Sequence, residues 1–488
     1  MQELISSIGS FLWGPPMIIA IMGCGILLTV RSKFFVFRYF GLIFRKTLGS
    51  MKKSEAKREG KVSPFEAICI AVGGAVGVGS LGGVAAAIAV GGPGALFWIL
   101  AWAFFGMTVK VAEVTLACHY RCQDSQGSYY GGPSYYIERG LGEQKGHKWA
   151  KVLAWCFGVA FILAAFSGNQ VFTIAEALNT TFHIPMIPFA CVYSLFVFYI
   201  TWRGVPRIAN FASKLVPFMC LLYFAGGIIL IAVNIEALPG VIQAVIHDAF
   251  TGTAAVGGFV GCGVMTVIRT GIARSINSNE AGQGSSPMIH ASADTPHPVE
   301  QALWGAIEVF VSTVLVSTIT ALAILCTGTW TTGLTSVTLT ITAFESVFGQ
   351  VGLYFIGIVA LLFGVTTTTG WFTYYCSLIA HGFRKNEKLR DRLTLIFKII
   401  FPWPNIIVVA AIVLSGQGPN LYWAVIDLVT VLPTFFNVIA LIGLSGVFIK
   451  LLNDYKARYM GIGTVDPQQK VFYDDKEPAP VPSVEESH

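Results

Sequence analysis

Apolar runs of about twenty residues recur along the whole chain, separated by short polar stretches. Such runs predict helices that cross a bilayer. Eleven spans are expected, near residues 11–30, 66–90, 95–117, 152–178, 185–202, 210–233, 256–276, 302–326, 350–379, 394–414 and 420–448. The stretches between them alternate in charge. The one after the first span carries Arg31, Lys33, Arg38, Arg45, Lys46, Lys52, Lys53, Lys57, Arg58 and Lys61. Later basic stretches hold Arg121, Arg139, Lys145, Lys148 and Lys151; then Arg203 and Arg207; then Arg384, Lys385, Lys388, Arg390 and Arg392. Residues 179–184, 234–250, 327–345 and 415–419 contain no lysine or arginine. Basic residues beside spans mark the cytoplasmic side, so the N-terminus is expected outside and the C-terminus inside.

Glycine interrupts this pattern twice. From Ala71 to Trp98 the chain reads AVGGAVGVGSLGGVAAAIAVGGPGALFW, with glycine at 73, 74, 77, 79, 82 and 83. Each glycine within a helix costs roughly 1 kcal/mol relative to alanine. A lipid-facing helix gains nothing from them, whereas a helix that opens near the bilayer midplane exposes bare N–H and C=O groups to a small ligand. The alternative is close helix packing through small residues. A second interrupted segment, GGFVGCGVMTVIRTG, covers 257–271. With the first span set aside, spans two to six and seven to eleven form two sets of five, each opening on a discontinuous helix. Consecutive repeats of odd span number are inverted in the membrane, and paired interruptions point to a transporter's midplane site.

The expected organisation is therefore an all-α polytopic membrane protein with a five-plus-five inverted-repeat core. Residues 1–32 form an extra N-terminal helix and 33–62 a basic cytoplasmic segment, interfacial at 33–51. The repeats occupy 63–233 and 250–450, and 451–488 is a polar, proline-containing tail expected to be disordered. The first apolar run lacks the basic flank of a signal peptide and is expected to be retained.

Composition narrows the function classes. Only 12% of the 488 residues are charged and 54% are hydrophobic, against about 25% charged in soluble domains; mean hydropathy is +0.68. The net charge of +6 lies in loops beside spans, so it reports topology rather than a nucleic-acid partner. No G-x-x-x-x-G-K-[ST] occurs, so no ATP-driven pump is indicated. Ten cysteines without C-x-x-C indicate neither a disulfide framework nor a zinc site.

Several blocks resemble the alanine or glycine:cation symporter family of the amino acid–polyamine–organocation superfamily. They are GGVAAAIAVGGPGALFW (82–98), Lys110/Glu113 with HYR (119–121), GGPSYYI (131–137), GGFVG (257–261), SNEAGQGSSP (278–287), TALAIL (320–325) and FGVTTTTGW (363–371). The resemblance implies the inverted-repeat core and sodium-coupled uptake of small amino acids across the cell (inner) membrane, by a chain taken to be monomeric. GGAVGVGS (73–80) is more distantly similar to the unwound first core helix of sodium-coupled neurotransmitter-type symporters. That similarity assigns the Gly73 and Val76 carbonyls, the Gly364 carbonyl and the Thr367 and Thr368 hydroxyls to one sodium ion. It assigns the N–H groups around Gly77, Val78 and Gly79 to the substrate carboxylate, which suits the positive end of a half-helix.

Thr366, Trp371, Gly261 and Met265 are expected to line the substrate pocket, and Gln170 to meet the substrate amine. Threonine hydroxyls can equally bond back to the carbonyl one turn earlier; Trp371 can be a core aromatic and Gln170 a packing amide. Lys110 and Glu113, one turn apart, are expected to pair. Arg274, Glu280 and Asp294 are assigned to a cytoplasmic gate, and Glu308 and Asp427 have no evident partner. The chain departs from the family pattern at Ser80, in place of the asparagine of G-x-G-N, at Ser312-Thr313, in place of Asp-Thr, and around Gln170–Phe172. Both serines are weak cation ligands, so one sodium per substrate is expected. Alternatives are a sodium-independent or proton-coupled exchanger of the same fold and a divalent-metal carrier. A sensor would carry a soluble domain, and a membrane enzyme would cluster His, Cys or carboxylates at membrane depth.

Overall fold

The computed structural model describes residues 8–9, 11–50, 62–165, 170–416 and 418–475. Among them the chain is almost wholly helical, with one two-stranded ribbon pairing Cys122–Gln123 with Tyr129–Tyr130. The helices that position the site are α1 (Pro15–Arg31), α2 (Phe40–Ser50), α3 (Pro64–Ala75), α4 (Val84–Gly91), α5 (Gly94–His119), α6 (Ala150–Ala165) and α7 (Val171–Phe182). They continue with α8 (Met186–Thr201), α9 (Val205–Val233), α10 (Leu238–Thr251), α11 (Val264–Asn279) and α12 (Pro298–Cys326). The last are α13 (Ser336–Phe348), α14 (Gln350–Gly382), α15 (Glu387–Ile400), α16 (Pro404–Ser415) and α17 (Gly418–Met460). Among the described residues six helices are long and apolar enough to cross a membrane, or seven with the bent pair formed by α3 and Gly79–Gly91.

Local signals explain where the pivotal helices begin. Ser63 caps α3 with a complete capping box: its hydroxyl accepts from the Glu66 N–H, and the Glu66 carboxylate accepts from the Ser63 N–H. Pro64 follows at the first turn, where a missing N–H costs nothing. Pro298 does the same for α12 behind His297, whose ring accepts from the Val299 N–H. Around these starts the small-residue faces pack tightly: α3 lies against α9 and α14, and α11 against α5 and α4.

Of the expected fourth span the structure describes α6 and α7, and residues 166–169 lie outside the described set. Four features differ from the apolar pattern. The expected tenth span divides into α15 and α16. The segments without basic residues at 234–250 and 327–345 are largely helical, as α10 and α13, rather than plain loops. α12 carries a π-helical stretch over Phe310–Ser317. Finally, α17 runs past Asn453 to Met460, and 461–475 folds back on the helix ends. There the Tyr473 N–H donates to the His119 carbonyl at 2.9 Å, and Arg139 Nη2 meets Asp474 Oδ1 at 2.5 Å. Arg121 stacks on Phe472 at 4.3 Å. These contacts give the 119–139 segment partners from 471–475, a partner set that polar composition alone does not reveal. Residues 476–488, and 51–61 of the basic segment, lie outside the described residues.

Candidate substrate site

Two helices are broken, and the breaks face one cavity. The first lies between α3 and α4, whose halves meet at 43°. At Val76 the backbone leaves the helix (φ −77°, ψ 64°), and a π-helical turn follows over Gly79–Gly83. Gly77 sits where no side chain fits: a Cβ there would overlap Thr367 Oγ1 and lie 2.9 Å from Gln170 Oε1. Both readings of the glycine run are thus realised, since Gly73 and Gly74 also pack closely, against Thr366 with Val216 and against Tyr374 respectively.

The second break is not at 257–271. Residues 252–263 form an irregular loop held by isolated bridges Thr253–Cys262 and Val256–Phe259. The helix begins only at Val264, so Gly261 belongs to that loop, and Met265 is 51% exposed on α11. Neither reaches the cavity. The break falls instead at 280–286, after α11 and before the short helix Pro287–His290. Glu280 (φ 55°), Gly282 (φ 88°) and Gly284 (φ 81°) are all left-handed, a conformation glycine tolerates and glutamate rarely adopts. Fixed partners hold the segment: Asn279 Oδ1 accepts from the Ala281 N–H at 2.9 Å, and Glu113 Oε1 accepts from the Gly282 N–H at 3.1 Å.

Gly74, Ala75, Gly77 and Gly79 line the cavity from the first break, and Asn277 and Glu280 from the second. Gln170, Trp371, Trp423 and Ile426 complete it. Its volume is about 20 Å³, room for about one water. Any larger ligand requires the walls to part.

Among the expected residues, the structure brings Gly77, Gly79, Gln170 and Trp371 together at this cavity. The Val78 N–H donates to Gln170 Oε1 at 3.2 Å, so the amide expected to face the substrate amine is occupied with the turn itself. Thr366 is buried and bonds to the Phe363 carbonyl at 2.8 Å, beside Gly73 rather than at the cavity wall. Beside the first break, Thr367 Oγ1 lies 2.7 Å from the Gly73 carbonyl and 3.0 Å from that of Phe363. Thr368 Oγ1 is 2.9 Å from the Gly364 carbonyl, and Tyr193 OH lies within 3.0 Å of both. Val76, three residues after Gly73, has left the helix (φ −77°, ψ 64°), and its N–H donates to the Val72 carbonyl. The donor set is neutral oxygen throughout, which suits a hard monovalent cation. At 2.7 Å the Thr367 hydroxyl donates a hydrogen bond to the Gly73 carbonyl, which joins α14 to the first break. A Thr367→Val substitution keeps the shape and removes one of these oxygens. Half-saturating sodium for uptake is then expected to rise at least several-fold, with substrate affinity at saturating sodium nearly unchanged; sodium titrations of uptake measure both.

The residues missed from the pattern are Asn277, Glu280, Trp423 and Ile426. Glu280 and Arg274 were expected at a gate away from substrate. Arg274 instead pairs with Asp427 at 2.9 Å and stacks 4.7 Å from the Trp423 ring. That contact ties α11 to α17 next to the cavity and gives Asp427 its partner. Lys110 and Glu113 do not pair. Lys110 Nζ reaches Glu308 Oε1 at 3.2 Å and Ser286 Oγ at 2.6 Å, whereas Glu113 Oε1 accepts from Asn437 Nδ2 at 2.5 Å. Both fix the second break to α5, α12 and α17.

A family model described as the sodium:alanine symporter family matches residues 1–467. The chain belongs to that family. A relative from Haemophilus influenzae, named only as an uncharacterized transporter, is 38% identical over 471 residues, covering 94% of this chain and 97% of its own. The sodium/alanine symporter AgcS of Methanococcus maripaludis is 35% identical over 380 residues, covering 76% and 82%. In fold the chain is similar to a Na⁺-coupled sialic acid symporter solved in a substrate-bound outward-open state. The TM-score is 0.52 over 89% of this chain and 98% of that one, at 11% identity; at that identity the likeness concerns the fold alone. This member of the sodium:alanine symporter family is thus a multi-pass membrane transporter of the amino-acid:cation symporter type.

Proposed function

We propose that the chain imports a small neutral amino acid, alanine- or glycine-like, in symport with sodium through alternating access in the cell (inner) membrane. The observation that carries this reading is the convergence of two broken helices on one small cavity, with the Gly73–Thr367 oxygen pair beside it. Broken helices aimed at a midplane cavity are how secondary transporters present half-helix termini to an anionic group and freed carbonyls to a cation. A cavity that closes to the size of one water favours a small substrate over a bulky one. The names of family relatives, sodium/alanine symporter among them, support the same substrate class.

The N-out, C-in orientation and the inverted five-plus-five core are part of this proposal. α3–α4 and α11 with Pro287–His290 are the corresponding broken members of the two repeats. Sodium at the carbonyls of Gly73, Val76 and Gly364 and the hydroxyls of Thr367 and Thr368 holds α3 against α14; substrate in the cavity then permits closure on the other side. One sodium per substrate fits the surroundings of Ser80. Its hydroxyl is turned 3.1 Å from Ser278 Oγ, within a buried cluster that includes Ser317 and Thr313. A sodium-independent exchanger is the second reading, because Thr367 and the Gly73 carbonyl also satisfy one another by a hydrogen bond. Uptake of labelled alanine into proteoliposomes, with and without a sodium gradient, separates the two. Gradient-driven accumulation supports symport, and uptake indifferent to sodium supports exchange.

A further inference from the structure

Glu280 is the acidic side chain among those lining the cavity, and it is 1% exposed. Its carboxylate is held from two sides. Trp371 Nε1 donates to Oε1 at 2.8 Å, and Ser285 Oγ donates to Oε2 at 2.5 Å. A carboxylate offers about four lone-pair directions, so acceptor capacity remains. Among the described residues no lysine, arginine or histidine lies within ion-pair distance of it. Lys110 is engaged by Glu308 and Ser286, and Arg274 by Asp427. A buried anion without a cation is costly, and its rare left-handed backbone aims it at the cavity regardless. The Gln170 amide oxygen there accepts from the Val78 N–H. Two donors of the same cavity, Asn277 Nδ2 and Trp423 Nε1, are buried with no partner among the described residues.

The geometry points to Glu280 as the specificity-determining residue that recognises the ammonium group of the substrate, with Asn277 and Trp423 offering N–H groups to its carboxylate. This rests on the amino-acid transport reading and deepens it. The required substrate class is a zwitterion with a free cationic amine; carboxylic acids bearing a hydroxyl or hydrogen in its place leave Glu280 uncompensated. Trp371 and Ser285 are positioning residues for that carboxylate.

Labelled-alanine uptake into proteoliposomes, competed by unlabelled alanine, lactate or propionate, tests it. In the unmodified protein alanine competes and the other two do not. Glu280→Gln keeps the shape and an oxygen for Trp371 but removes the charge. Half-saturating alanine should rise on the order of 100-fold, and discrimination between alanine and lactate should shrink by a similar factor, while half-saturating sodium stays put. Glu280→Asp, which retains the charge, should weaken alanine less and preserve the discrimination, and it serves if the glutamine variant does not fold. Unchanged discrimination in Glu280→Gln, or lost capacity with the ratio intact, overturns the role of Glu280 alone. Unmodified protein that takes up no amino acid overturns both this role and the transport reading.

Discussion

Gly77→Val is expected to abolish substrate uptake while leaving the protein folded and membrane-inserted. The new side chain enters the space between Thr367 Oγ1 and Gln170 Oε1, where even a Cβ has no room, and so acts on the first break and on the oxygen pair at once. Relief by backbone movement is limited, because α3 is buried along its length from Glu66 to Ala75. Gly263→Ala, outside the cavity, is the control. Its Cβ would meet nothing within 4 Å at an ordinary φ of −80°, so uptake should survive. Expression and size-exclusion profiles of both variants, alongside alanine uptake, give the comparison. Normal transport by Gly77→Val would return the glycine run to a packing role.

The second large effect is on stability. Lys110, Glu308, His290 and Gln301 are each 0% exposed and joined in one network. Glu308 Oε2 lies 3.1 Å from His290 Nε2, and Gln301 Nε2 lies 2.8 Å from His290 Nδ1. Lys110→Met leaves the Glu308 carboxylate buried without its ammonium, a change that costs about 3–5 kcal/mol when one partner of a buried pair is removed. The thermal unfolding midpoint in detergent should fall accordingly. The double variant Lys110→Met, Glu308→Leu removes both charges and should recover much of the loss, since well-packed apolar replacements of buried pairs are often neutral. A double variant as unstable as the single one would mean that the network, through Ser286, is needed to shape the second break.

The first break was legible because glycine is expensive in a helix and six of them fall within eleven residues of an otherwise apolar run. The second was placed at 257–271 for the same reason, and wrongly. There the glycines serve an irregular loop, with Gly257 and Gly261 in left-handed conformations. The segment that does unwind, Glu280 to Ser286, is polar enough to read as a connection between spans. Its better signal was the run SNEAGQGSSP itself: two spaced glycines, a buried acid and a following proline between two helices. Trp423 and Ile426 gave no signal, because an apolar residue of an apolar span looks the same whether it faces lipid or a cavity. Lys110 and Glu113 show the limit of local spacing. Residues three apart share a helix face, yet each found a partner far away in sequence, Glu308 and Asn437, which only the packing of α5 on α12 and α17 reveals. The oxygen group at Gly73 and Thr367 was reached through resemblance rather than pattern, since four adjacent threonines fit back-bonding equally well. All four threonines, Thr366 to Thr369, do bond back to a carbonyl of their own helix, and Thr367 reaches the Gly73 carbonyl besides.

Sodium-driven accumulation is the most direct test of coupled transport through this cavity. Purified protein in proteoliposomes, given an inward sodium gradient and labelled alanine, should concentrate the amino acid above its external level, and collapse of the gradient should abolish that accumulation. Thr367→Val should need more sodium for the same uptake. Equal uptake with and without the gradient, or accumulation driven by a proton gradient alone, would contradict sodium symport.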